Sequence, residues 1–189
     1  MSKHKDTTIP LESGNFYHIF NRGNKCIKIF HKHDNYVYFL KKYDSYLSNY
    51  LDTYAYALIP NHFHFLVRIK EEAEILQNAR NEYGKVSKAL WKLIREKMEE
   101  YPKALFQSYQ GFAKLMEQGF PKEPISMISF IEMMPSILLY FVANWILSDR
   151  FRRFFAAYAM AINKQEKEVG ALFQRPFRRK LIDSETYFT

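Results

Sequence analysis

The chain has 189 residues, of which 48% are hydrophobic, 25% charged and 17% aromatic, with only 6 glycines and 7 prolines. That is enough apolar material to close a core, and it excludes a collagen-like, low-complexity or mainly disordered polymer. With 28 basic against 20 acidic residues the net charge is +8, a balance that, with so many rings, suits a polyanion carrying stackable bases, while the single cysteine, Cys26, rules out a disulfide framework and a multi-cysteine zinc site.

The first residues, MSKHKDTTIPLESG, carry no apolar run behind their lysines, so no targeting segment is expected and a cytoplasmic or nucleoid location follows. NFYHIF, Asn15 to Phe20, is aromatic and β-branched between Ser13-Gly14 and Asn21-Arg22-Gly23, which predicts a strand. From Asp34 to Leu51 the residues Tyr36, Phe39, Leu40, Tyr43, Leu47, Tyr50 and Leu51 recur at the spacing of one helix face, with Asp34 placed to cap the start. TYAYALI and HFHFLVRI, parted by Pro60-Asn61, then read as a hairpin. Alternation puts Phe63, Phe65, Val67 and Ile69 on one face of the second strand, a core face, and His62, His64, Leu66 and Arg68 on the other.

Residues 71–123 turn charged and helical, with a break at Gly84 and loop signals at Pro102, Gly111, Gly119 and Pro121. The apolar run from Pro124 to Leu147 follows, and Glu132, Pro135 and Asn144 interrupt it, so no membrane span is expected. Together these stretches predict a helical insertion at about 71–147 in a single α+β domain. SDRFRRFFAAYAMAINK, from Ser148, lines up Phe151, Phe154, Phe155, Tyr158 and Ile162 as the stripe of an amphipathic helix. ALFQRPFRRKLI, after Gly170, holds Arg175, Arg178, Arg179 and Lys180 with no acid among them and is the densest positive patch.

His62-Phe63-His64 is the constellation that carries chemistry. Two histidines one residue apart on a strand project from one face and can ligate one divalent ion, whereas on a helix they would diverge by roughly 200°. The bland alternative is a pair of half-buried histidines satisfied by backbone carbonyls. His18, with Phe16 and Phe20 on its face, reads as a satisfied core histidine, and His31 and His33, beside Lys32, read as loop residues. Arg175, Arg178, Arg179 and Lys180, interleaved with Phe173 and Phe177 and joined by Arg22 and Lys25, suit phosphate contacts and base stacking, against the alternative of a solvated basic surface. There is no P-loop, dinucleotide fingerprint, Gly-x-Ser-x-Gly or His-Glu-x-x-His.

Three blocks in order, Asn21-Arg22-Gly23, Pro60-Asn61-His62-Phe63-His64-Phe65 and Gly170-Ala171-Leu172-Phe173-Gln174-Arg175, make the chain resemble the single-tyrosine HUH transposases, most closely the REP-associated tyrosine transposases. The resemblance spans most of the chain apart from the insertion. It implies a small antiparallel sheet flanked by helices, ferredoxin-like or RRM-like, in a homodimer that cuts single-stranded DNA beside a hairpin. It also implies that His62 and His64 hold Mg²⁺ or Mn²⁺ at the scissile phosphate. A tyrosine then attacks to leave a 5′-phosphotyrosine and a free 3′-hydroxyl, conserving the ester for rejoining.

In those relatives the tyrosine lies on a helix past the basic segment, with an Asn or Gln one turn later as third ligand, so here the nucleophile is expected beyond Thr189. Tyr187 has no Asn or Gln after it. The internal alternative is Tyr158, but Asn163 is five residues on, roughly 140° around a helix, and the apolar stripe claims Tyr158 for a core. The expected function is therefore a transposase-like DNA-binding protein, or else a catalytically inactive module that binds single-stranded or hairpin DNA. A helical interaction protein in which the histidine pair is incidental is a third possibility.

Overall fold

The structure is a computed structural model and describes residues 9–183. In chain order its elements are β1 (Phe16–Arg22), α1 (His33–Leu47), β2 (Leu51–Ile59), β3 (His62–Ile69), α2 (Glu72–Glu82), α3 (Lys88–Glu99), α4 (Gln110–Glu117), α5 (Met127–Met133), α6 (Ser136–Glu166) and β4 (Arg178–Ile182). The chain divides into two compact units, Met1–Lys70 with Leu147–Thr189, and Glu71–Ile146.

The first unit is an α+β layer built on one four-stranded sheet in the order β2-β3-β1-β4, with every neighbouring pair antiparallel. One helix joins β1 to β2, and α6 precedes β4. The path is therefore the split βαβ arrangement of ferredoxin-like folds. The expected class, an antiparallel sheet with helices packed on it, is what the chain forms.

One sheet face is closed by rings. Phe39 of α1 lies 5.1 Å from Phe63, Tyr43 stacks on Phe65 at 4.1 Å, and Phe154 and Tyr158 of α6 meet Phe39 at 4.9 and 4.8 Å. Tyr17, Ile19, Phe63, Phe65 and Val67 supply the strand side of this layer and are essentially sealed from water. Each such side chain contributes about 1.5–3 kcal/mol through burial.

Three local expectations shift. The first helix ends at Leu47 and not at Leu51, because Leu51 pairs with Ile69 as the first residue of β2, burying both. Its start is secured by Asn35 and not Asp34: the buried Asn35 Oδ1 accepts the main-chain N–H of His31 at 2.9 Å and of Lys32 at 3.1 Å. The segment read only as a basic patch also contains a strand, β4, which completes the sheet beside β1. Strand β2 is an edge strand with a bulge between Thr53 and Ala55, and it leaves Tyr54 and Tyr56 each 58% exposed.

The second unit is helical. Leu90, Trp91, Ile94, Phe112, Phe130 and Ile131 are buried in it. Ser87 Oγ caps α3 by accepting Leu90 N–H at 3.2 Å, and Ser126 Oγ caps α5 by accepting Ser129 N–H at 3.0 Å. Pro135 stands just before the first residue of α6, where its missing N–H is no loss. Among the described residues no helix is long and apolar enough to cross a membrane.

Candidate functional site

Alternation along the two central strands decides what the second sheet face carries. On β3, His62 and His64 point away from the ring-filled layer, and on β1, His18 and Phe20 do the same between the buried Tyr17, Ile19 and Asn21. Register then sets the neighbours across the sheet. Phe20 stands opposite His64 on one side and Arg178 on the other, Arg22 opposite His62, and His18 opposite Lys180.

The third segment reaches the same end of the sheet through main-chain bonds. Gln174 N–H donates to Arg22 O at 3.0 Å, Asn24 N–H to Leu172 O at 2.8 Å and Gly23 N–H to Asn61 O at 2.8 Å. The buried Asn21 adds its Nδ2, which donates to Gln174 O at 3.1 Å. Gly23 is required by close approach, since a Cβ there would stand 2.0 Å from the carbonyl oxygen of Ile27.

The result is a cavity of about 190 Å³ lined by Phe20, Asn21, Arg22, His62, His64, Gln174 and Arg178. All three sequence blocks contribute to it. The ring planes of His62 and His64 stand at 86° with centroids 5.2 Å apart. His62 Nδ1 lies 2.7 Å from Asn61 Oδ1, an acceptor, which assigns the ring proton to Nδ1 and leaves the Nε2 lone pair unused. His64 Nδ1 lies 2.8 Å from His18 Nε2. Burial pushes His64 below the ordinary imidazole value, and His62 adds to the effect; burial does the same to His18, with His64 and Lys180 adding. In both rings burial therefore favours the neutral form, which for His64 is the form that can ligate an ion.

His18 is the main correction. It is not a core histidine: it stands on the face opposite the ring-filled layer, because the residues between its neighbours, Tyr17 and Ile19, take the core side. Alternation on β1 groups it with Phe16 and Phe20, and the packing of α1 and α6 on the other face is what leaves this group uncovered. Strand alternation also divides the basic group. Arg178 reaches the cavity and the exposed Lys180 lies one row along, but Arg179 turns to the other side, its guanidinium 4.9 Å from the Phe177 ring and donating to Ile9 O. Arg175 and Lys25 are exposed and do not line the cavity, Lys25 sitting in a tight turn at φ 50°. Arg22 does line it and also contacts Cys26 Sγ.

Tyr158 is fully buried in the ring-filled layer, where its hydroxyl donates to Ile29 O at 2.7 Å and burial pushes its pKa well above the ordinary value. It is a core tyrosine, remote from nucleophilic use. Tyr187 lies outside the described residues. His31 pairs with Glu166 at 3.4 Å, and His33 begins α1.

The donor set fits a divalent ion held by few protein groups. Two imidazoles, each with its Nδ1 held by a partner and its Nε2 on the opposite side of the ring, are suitable ligands, and the cavity leaves room for water or for oxygen atoms of a bound molecule. Among the described residues no cluster of three or more His, Cys, Asp or Glu side chains forms a fuller ligand set. Comparison of the chain with protein-family models, with curated proteins and with solved structures found no match in any of the three.

Proposed function

We propose that this chain is a transposase-like DNA-binding protein of the HUH class, which holds Mg²⁺ or Mn²⁺ through His62 and His64 and takes single-stranded or hairpin DNA at the cavity. The observation that carries the reading is convergence: blocks around residues 21, 62 and 174, far apart in sequence, line one cavity with two ligand-ready imidazoles and two arginines. Arg22 and Arg178 bring permanent positive charge and forked donors suited to a phosphodiester. Phe20 offers a ring face to a base. A bound divalent ion supplies polarisation of the phosphate and offsets charge that grows on its oxygens. Homodimer formation and a place at the nucleoid belong to the same reading.

A second reading, a module that binds DNA without cutting it, is favoured by the position of Tyr158, whose hydroxyl is committed to Ile29 O within the core. The two are separated by incubating the protein with a labelled hairpin oligonucleotide and Mn²⁺, then following binding by anisotropy and covalent attachment on a denaturing gel. Binding that weakens with salt is expected under both, and an adduct only under the first. If the His62→Ala/His64→Ala double variant takes up Mn²⁺ as tightly as the parent, the metal pair is wrong.

A further inference from the structure

We propose that His18 is a positioning residue for His64: its Nε2 accepts the Nδ1–H of His64, which keeps the His64 proton on Nδ1 and leaves the Nε2 lone pair facing the cavity. The inference deepens the reading of His62 and His64 as a metal pair and rests on it for its purpose, but the tautomer it specifies exists with or without an ion.

The two nitrogens are 2.8 Å apart, while the ring centroids stand 5.0 Å apart with planes only 24° from parallel. Rings that touch so closely through nitrogen yet keep their centres so far apart meet edge to edge, where N–H and lone pair both point. Phe20 holds the arrangement from the side, near-parallel to His18 at 4.8 Å and to His64 at 5.8 Å. His18 itself is not part of the cavity lining, so it acts through His64.

The need for such a partner follows from imidazole chemistry. A neutral histidine side chain left to itself favours the proton on Nε2, which would turn a donor and not a lone pair toward an ion. His62 escapes this because Asn61 Oδ1 can only accept. His64 has no such amide, and His18 fills the place. In this way the two ligands reach the same tautomer by different means, one from its sequence neighbour and one from the adjacent strand.

The test uses the full chain labelled with ¹⁵N, with long-range proton–nitrogen correlations of the imidazoles recorded at pH 8 without metal, and a Mn²⁺ titration in parallel. In the parent, His64 is expected to show a protonated Nδ1 and a bare Nε2. His18→Phe should move the proton to Nε2 and weaken Mn²⁺ binding by about tenfold or more. His18→Gln, whose amide oxygen can accept the same N–H, should restore both signals, which loss of packing alone would not predict. A parent His64 protonated on Nε2, or an unchanged His64 spectrum in His18→Phe, overturns the proposal. Should the parent take up no Mn²⁺, the metal reading falls, and the tautomer shift still decides the part played by His18.

Discussion

On one face of the sheet Tyr17, Ile19, Phe63, Phe65 and Val67 are sealed beneath the rings of α1 and α6; on the other, His18, Phe20, His62 and His64 come from the same strands and remain half-buried. The covered face has many interchangeable contacts, each ring touching several others at 4 to 6 Å, so no single atom directs the packing. The second face depends on individual atoms. Each Nδ1 of the histidine pair has one partner, at 2.7 or 2.8 Å, and losing that partner changes what the opposite nitrogen can do. Stability is therefore concentrated on the first face, and the proposed chemistry belongs to the second, one residue apart along the chain.

The largest expected effect is on the covered face. Phe63→Ala removes a fully buried ring between Phe39 and Phe155 and should cost about 3–5 kcal/mol in urea unfolding. A loss as small as that of an exposed substitution would show that the ring-filled layer does not carry the fold. Next in size is Gly23→Ala, which drives a methyl group against a main-chain oxygen and should cost about 1–3 kcal/mol. If it also abolishes Mn²⁺ uptake with both histidines intact, the turn after β1 sets the geometry of the second face.

The smallest effect sharpens the contrast from the other side. His64→Ala should lower stability by about 1 kcal/mol or less near neutral pH while removing Mn²⁺ binding. Its influence appears in acid. His18 and His64 have folded-state values below the ordinary 6.5, so the unfolded chain takes up protons first; the stability they confer is present above that value and is lost as pH falls through the folded values. Thermal midpoints of the parent should drop between pH 7 and pH 5, and those of His64→Ala should drop less. Equal slopes in the two proteins would place the acid sensitivity elsewhere.

Much of the second face could be read in advance, because β3 states its alternation plainly: four large apolar residues interleave with two histidines, and Pro60-Asn61 marks the turn before them. The change in composition at Glu71 likewise coincides with the start of the second compact unit. Strand β4 was not legible. Its sequence, RRKLI, has no polar and apolar alternation, and its pairing with β1 is made by backbone groups that leave no trace in residue type. His18 was misread because alternation groups residues by face without saying which face is covered, and that depends on α1 and α6 packing from one side. Gln174 was visible only as part of a motif, since its place in the cavity follows from the bonds its backbone makes to Arg22 and Asn21.

The close approach at Gly23 has a further consequence for how this end of the molecule tolerates change. The contacts that bring residues near 23, 61 and 173 together run mainly between peptide groups, so the frame is indifferent to most side chains it displays. The imidazole and guanidinium groups could be exchanged there while the strands stayed in place, whereas the buried Asn21 amide is itself part of the frame. Such a frame makes the cavity a practical starting point for installing a different set of ligands.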